Sequence, residues 1–430
     1  MNISIVGSGY VGLCTGVGFA LKNNKVICTD KDENKIKSIN NGIPTFYEKS
    51  LEKNLKRCLN KKMISATNNL NYAILNSDIT FITVGTPSMK NGSINLNYIK
   101  TASKQIGKSL KNKKTYHLIV VKSTVLPKTT EEIIIPILEK YSNKKVGKDF
   151  GVCMNPEFLR EGFALEDFLN PDRIVIGEYD KKSGDILERL YKDFKAPIIR
   201  INLRTAEMVK YASNAFLATK ISFINEIGNI CKKLNIDTYD VAKAMGYDKR
   251  IAPYFLNAGI GFGGSCFPKD ISALINKAKD LKYEMKILNS VLDVNRKQRL
   301  LIIELLKNKI KNFKNKKIAI LGLAFKAGTD DVRDSASIDI IKKLLNEKAN
   351  IYAFDPKAIN NMKKIIPNIK YTKNIYDALK NADACLILTD WDEFKMLTDK
   401  DFSVMKNKII IEGRKTLDKN KVKHFEGICW

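Results

Sequence analysis

The sequence predicts an α/β protein, two Rossmann-like doubly wound domains joined by a long central helix and a helical middle domain. Three observations predict it. An apolar strand, NISIVG, runs into the glycine turn GSGYVG and then into a helix, VGFALKNN. A second opening of the same kind, KKIAILGLAFK, follows the lysine-rich KNKIKNFKNKK. Between the two lies a proline-free run with a single glycine, TAEMVKYASNAFLATKISFINEIGNICKKLN, residues 205–235. At 430 residues the chain is too long for one ordinary core. We divide it into residues 1–202, 203–310 and 311–430.

The first domain opens on Gly7, Gly9 and Gly12 in the order GxGxxG, with a strand before, a helix after, and Asp30 closing the second strand, VICTD. Such glycines permit a tight turn and the close approach of a pyrophosphate to a helix N-terminus, where free N–H groups and the dipole favour an anion. Asp30 would accept hydrogen bonds from an adenosine ribose and repel a 2′-phosphate, which favours NAD over NADP. Further strands are expected in DITFITVGTP, YHLIVVKSTV and FGVCMNPEFLREG, with DRIVIG as the last of this half. Ligands lie beyond the carboxyl ends of such strands, which places Val84, Thr86 and Thr124 near the cofactor.

The run at 205–235 is expected to form one helix of roughly 45 Å at about 1.5 Å per residue. Lys210 and Asn214, four apart, share a face of it, and Glu207 precedes Lys210 by three. In the last domain ANIYAFDP repeats the second strand and its acid, Asp355, but of the glycines only Gly322 remains. This half either binds a nucleotide through side chains and loop backbone or is a structural duplicate. DACLILTDWDEF and KIIIEGR add two more strands.

Composition narrows the function. The formal charge is +28, yet the lysines are interspersed with asparagine along the whole chain, so a compositional bias is expected and not a nucleic-acid partner. No stretch approaches the ~20 apolar residues of a membrane span. With MNISIVG entering a strand directly and no leader segment in evidence, a cytoplasmic enzyme is expected. Eight cysteines without paired spacing and two histidines, His117 and His424, make a disulfide framework or a metal centre unexpected. His117 falls inside a strand, so any general base is expected to be a carboxylate, a lysine or a held water.

One cysteine stands apart. Cys28 and Cys385 sit in apolar runs, whereas Cys266 lies in GFGGSCFPKD, a bare and bendable loop followed by Lys269 and Asp270. A dinucleotide site plus a nucleophilic thiol has a specific chemical meaning. Oxidising an alcohol to an aldehyde needs only a hydride acceptor. Taking the aldehyde on to an acid needs an adduct from which a second hydride can leave, and a thiolate supplies one. Cations such as Lys210 or Lys269 would favour the thiolate and its oxyanion adduct, and Asp270 could hold a water.

Together GSGYVG, VGTP, VKSTV, PEFLREG, TAEMVKYASNAF, GFGGSCFPKD, GLAFKAGTDDVRDS, DWDEF and EGR resemble, in order and along nearly the whole chain, the nucleotide-sugar 6-dehydrogenase family. The resemblance implies a four-electron oxidation of UDP-glucose to UDP-glucuronate with two NAD per turnover. It implies Cys266 as nucleophile, Lys210 and Asp270 as its catalytic partners, and Asn214 as a holder of substrate and oxyanion. Thr124 and Glu157 match positions lining the reacting centre, Glu157 assisting thioester hydrolysis. Phe158, Leu159, Phe255, Gly263, Lys326 and Arg414 correspond to sugar-nucleotide contacts. Lys35, Thr86, Glu161, Lys269 and Arg333 correspond to NAD contacts, beside Val11 and Asp30. Arg250 matches an arginine that reaches a neighbouring subunit's site, which implies a homodimer or a higher homo-oligomer.

Three alternatives differ in what they require. A sibling enzyme acting on GDP-mannose or UDP-N-acetylmannosamine would share the chemistry; PEFLREG, GFGGSCF and GLAFKAGTDDVRDS favour the UDP-glucose type. A two-electron β-hydroxyacid dehydrogenase needs neither Cys266 nor the second α/β half. A non-catalytic nucleotide- or nucleic-acid-binding protein predicts steeply salt-dependent binding and no turnover.

Overall fold

Alternating apolar strands and amphipathic helices leave the chain one economical solution, parallel sheets with helices on both faces, and it adopts this twice. The computed structural model describes residues 1–430. These divide into two compact units, residues 1–213 with 272–277 and residues 214–271 with 278–430.

The first unit holds strands β1 (Asn2–Val6), β2 (Lys25–Thr29), β3 (Ile64–Thr67), β4 (Ile79–Ile82), β5 (His117–Val121), β6 (Phe150–Met154), β7 (Ile174–Glu178) and β8 (Ile198–Asn202). Their order is β3-β2-β1-β4-β5-β6-β7-β8. Strands β1, β4, β5 and β6 are buried on both faces almost throughout, which explains their unbroken apolar runs. All neighbours are parallel except β6 and β7, which pair antiparallel over Cys153–Glu178 and Met154–Gly177. DRIVIG is therefore not the last strand of this half. IIRIN follows it as β8, paired to β7 from Ile174↔Ile198 to Glu178↔Asn202. Its residues are half-buried or exposed, as suits an edge strand, and that weak pattern hid it.

A polar ladder crosses this core. Ser77 Oγ donates to Ser4 Oγ at 3.0 Å, Ser4 Oγ and Thr80 Oγ1 share a 2.7 Å bond, and Thr80 Oγ1 meets His117 Nε2 at 2.7 Å. Burial lowers His117 to about 3, so the imidazole is neutral and structural, in line with its place inside a strand.

In the second unit β9 (Lys317–Leu321), β10 (Asn350–Phe354), β11 (Lys370–Tyr371), β12 (Ala384–Ile387), β13 (Ile410–Glu412) and β14 (Glu426–Gly427) form an all-parallel sheet in the order β11-β10-β9-β12-β13-β14. The proline-free run is a single helix, Leu203–Lys233, continuous through the residues where the chain passes from one unit to the other. Four shorter helices belong to the middle of the chain: Thr238–Gly246, Phe267–Asp280, Lys286–Gln298 and Leu301–Lys309. No helix is long and apolar enough to cross a membrane.

Both sheets open on the same turn. Gly7 has φ +99° after β1 and Gly322 φ +101° after β9, a region that L side chains rarely enter. A Cβ on Gly322 would lie 2.0 Å from Thr389 Oγ1 and 2.7 Å from Thr389 N. Gly322→Ala is expected to destabilise the second sheet by about 2 kcal/mol or more, seen as a lower urea midpoint. A midpoint equal to that of the native protein would show that the turn relaxes freely.

Candidate functional site

In the first unit the predicted residues gather at the carboxyl edge of the sheet, where the strand order reverses between β1 and β4. Gly9 and Gly85 present bare backbone to open space, since a Cβ on either would meet nothing within 4 Å. Gly12 is closed on its other side: a Cβ there would lie 1.9 Å from Gly7 O. The loop is thus packed against the sheet and clear outward, a cradle that fits a dinucleotide pyrophosphate. Val11 lies half-buried in the helix Tyr10–Leu21 that begins there. Asp30 ends β2 and accepts from Ser8 N at 3.0 Å and Asp32 N at 3.1 Å, with Lys35 Nζ 3.9 Å away. Its side chain is 11 % exposed, so the carboxylate still reaches the surface on which a ribose would lie. Val84 follows β4, and Thr86 Oγ1 donates to Thr124 O at 3.0 Å, tying the loops after β4 and β5 together.

The loop after β6 carries Glu157, Phe158, Leu159 and Glu161. Glu157 Oε1 pairs with Lys210 Nζ at 2.9 Å, the two side chains 7 % and 4 % exposed, and Glu157 Oε2 accepts from Leu159 N at 2.6 Å. Burial pushes the Glu157 carboxyl up, but the Lys210 ammonium, the Leu159 N–H and the charge of Lys122 outweigh it and hold Glu157 below the ordinary carboxylate range. The pair is therefore ionised. The Phe158 ring lies under two cations, 3.9 Å from the Arg173 guanidinium carbon and 5.6 Å from Lys210 Nζ. Glu161 sits half-buried farther along the loop.

Sequence reasoning noted Glu207 but gave it no role. It is fully buried in the long helix, and its two oxygens accept from Lys128 N at 2.7 Å and Thr130 N at 2.8 Å, fixing the loop that descends from Thr124. Also missed was Glu48. It accepts from Gly162 N and Ala164 N, both at 2.7 Å, and from the hydroxyl of Tyr10, so it ties the loop after β6 to the first turn of the dinucleotide helix. An acid between two short helices carries no periodic signal that would single it out.

In the second unit Cys266 is the one thiol of the eight that is not buried. Its carbonyl accepts from Asp270 N at 2.8 Å, so Cys266 stands at the N-terminus of the helix Phe267–Asp280, the end whose dipole favours an anion. Asp270, 2 % exposed, accepts from Asn214 Nδ2 at 2.6 Å and from Lys269 Nζ at 2.5 Å. Lys269, expected to touch the cofactor, is held by Asp270.

The loop before Cys266 is not the bendable segment its glycines suggest. Phe262 exchanges bonds with Asn295, its N–H donating to Oδ1 at 2.7 Å and its carbonyl accepting from Nδ2 at 3.0 Å. Arg299 Nη2 adds a bond to the same carbonyl at 2.8 Å and grips Asp334 and Asp339. Arg414 Nη2 donates to Gly261 O at 2.5 Å, and Gly264 N donates to Arg333 O at 3.0 Å. Glycines serve here because other chain passes close: a Cβ on Gly263 would lie 2.3 Å from Asp334 O. Phe255 stands edge-on to Phe267 at 6.2 Å. Lys326 and Arg333 lie in the loop after β9, the Arg333 side chain forked on Asp331. Arg250, 89 % exposed, is paired with Asp248 in its own turn and meets none of the other predicted residues.

With these arrangements in view, the chain can be set beside known proteins. Residues 1–195 match the NAD binding domain of the UDP-glucose/GDP-mannose dehydrogenase family, residues 204–297 its central domain and residues 319–419 its UDP binding domain. The chain is 41% identical over 434 residues to UDP-glucose 6-dehydrogenase AglM of Haloferax volcanii, covering 100% of both. It is 45% identical over 415 residues to UDP-glucose 6-dehydrogenase TuaD of Bacillus subtilis, covering 96% of this chain and 89% of that one. The solved UDP-glucose dehydrogenase of the archaeon Pyrobaculum islandicum matches with a TM-score of 0.94 at 39% identity, covering 100% of this chain and 97% of that one. The chain belongs to the UDP-glucose/GDP-mannose dehydrogenase family. Its cofactor is NAD, and the cradle at Gly7–Gly12 with Asp30 has the shape and chemistry to hold it.

The burial of the other thiols has a measurable result. Burial pushes Cys28 and Cys429 up to about 12, and raises Cys14, Cys58, Cys153 and Cys385 as well. Brief iodoacetamide treatment of the native protein is expected to alkylate one thiol per chain by mass spectrometry, and none in Cys266→Ser. Labelling spread over several cysteines would mean that Cys266 has no special access.

Proposed function

We propose that the protein oxidises UDP-glucose to UDP-glucuronate, a four-electron reaction using two NAD and one water. The observation that supports this best is Cys266, a lone accessible thiol at a helix N-terminus beside the Asn214–Asp270–Lys269 network, in a full-length member of this family. A two-electron dehydrogenase has no use for that arrangement. NAD, when bound, takes up a hydride at each oxidation.

The residues divide the remaining work. Lys210, its charge held by Glu157, positions the water that takes the proton from the C6 hydroxyl. The Cys266 thiolate adds to the C6 aldehyde, forming a carbon–sulfur bond and an oxyanion that Lys210 and Asn214 stabilise. Loss of the second hydride leaves a thioester. A water held by Asp270, with Glu157 assisting, attacks the thioester carbonyl and releases the carboxylate and the thiol. Thr124 lines this centre. Over the cycle one water enters, and two hydrides and three protons leave. Phe158, Leu159, Phe255, Gly263, Lys326 and Arg414 receive the sugar nucleotide, while Lys35, Thr86, Glu161, Lys269 and Arg333 complete the cofactor contacts.

We read residues 1–202 as the NAD-binding domain, 203–310 as the dimerisation domain with the cysteine loop, and 311–430 as the UDP-binding domain. A homodimer is supported by the long helix, where Phe216, Phe223 and Ile230 recur every seven residues and are 65%, 45% and 58% exposed. An apolar stripe at that spacing lies along one side of a helix, and a second copy would cover it. We place the enzyme in the cytoplasm, where eight free thiols persist.

The reaction is tested by counting NADH formed per UDP-glucose consumed. The native enzyme is expected to give two, and Cys266→Ala trace turnover or trapped aldehyde. One per substrate, unchanged without the thiol, would refute the covalent route; turnover only with GDP-mannose or UDP-N-acetylmannosamine would move the substrate. For the assembly, Phe223→Glu is expected to shift light scattering from dimer to monomer. An unchanged dimer would place the interface elsewhere.

A further inference from the structure

Within the first unit, one buried cation has no part in the mechanism above. Lys122 follows β5 directly and is 4 % exposed. Its Nζ donates to Asn155 Oδ1 at 2.8 Å, and Asn155 directly follows β6. The Tyr191 hydroxyl donates to the same oxygen at 2.7 Å, and Asn155 Nδ2 donates to Val175 O at 2.8 Å. Lys122 is two residues before Thr124, and Asn155 two before Glu157. A single side-chain bond thus joins the two strand ends from which these residues leave the sheet.

A neutral donor could make that tie, yet the chain buries an ammonium there, at considerable desolvation expense. The charged groups around it give the charge a purpose. Glu157 and Lys210 are the ionised neighbours, while Tyr191, from the helix Lys181–Tyr191, is kept neutral by burial, as is His117 at the far end of β5. Two buried ammoniums therefore share one carboxylate.

We propose that Lys122 is a positioning residue for the reaction, acting through Asn155 and its attraction for Glu157 to keep the Glu157 carboxylate oriented toward Lys210. The proposal rests on the reading of Glu157 and Lys210 as part of the reaction machinery. Burial, opposed by Glu157, lowers Lys122 to about 8. Its charge is present below that pH and lost as the pH rises through it, so activity declines on the alkaline side.

The test is the pH profile of kcat for the native enzyme, Lys122→Arg, Lys122→Met and Glu157→Gln, with KM for NAD measured alongside. The native profile is expected to fall near pH 8. Lys122→Arg, whose guanidinium stays charged, should move that fall up by about one pH unit or more. Lys122→Met should lower kcat about tenfold below pH 8, the gap closing at higher pH where the native enzyme loses the same charge, with KM for NAD changed less than about twofold. Should Lys122→Met fail to fold, Lys122→Gln keeps an amide donor for Asn155 without the charge, and the same loss of kcat is expected. Native kcat and an unshifted profile in the Lys122 variants would overturn the proposal while leaving the function intact, provided Glu157→Gln is impaired. Native behaviour of Glu157→Gln would instead remove the premise, by showing that Glu157 takes no part.

Discussion

A carboxylate buried at the end of a parallel strand needs a cation, and the Glu157–Lys210 pair meets that need in the first unit. Much else follows from it. Lys210 belongs to the opening turns of a 31-residue helix, and Glu207, one turn earlier, holds the backbone of Lys128 and Thr130. Two charged residues three apart in sequence thereby fix one helix to the loops after β5 and β6. Neither interaction would survive in water at this strength. Burial makes both compulsory: once the helix is in place, neither side chain can be left without its partner.

The second unit solves a different problem, holding a glycine-rich strand of chain still. Asn295, Arg299 and Arg414 bond to the backbone of Gly261 and Phe262, so the path into Cys266 is set by side chains from outside the loop. The glycines contribute small cross-section more than mobility. The thiol then meets the start of a helix whose direction is settled by its own packing, and Asp270 in the first turn is held from two sides.

Much of this was legible in the residues and some was not. The parallel strands could be read because burial on both faces writes them as continuous apolar runs, and Cys266 stood out because three glycines crowd the residues before it, where Cys28 and Cys385 sit among Val, Ile and Leu. The edge strand β8 escaped because half its side chains face water, and no periodicity records the antiparallel turn from β6 to β7. The positioning groups were hidden for a different reason. Lys122, Asn155, Glu48 and Arg299 work through partners distant in sequence, by 33 residues for Lys122 and Asn155, and only the folded chain shows which polar side chain meets which. For Lys122 a signal did exist, a lysine appended to LIVV with no break.

The acids that close the second strand of each sheet have parted ways. Asp30 receives two backbone N–H groups and keeps a face toward solvent. Asp355, in the matching position, takes hydrogen bonds from the N–H groups of Leu323, Ala324, Lys357 and Ala358 and from the Trp391 indole, and it is buried. Restoring glycines to the turn after β9 would therefore not turn this sheet into a second dinucleotide carrier, because the group that should greet the ribose has become internal scaffolding. The same position keeps a face to solvent in one sheet and serves architecture in the other, and exchanging those roles would require rebuilding the Trp391 side of the sheet as well as the loop.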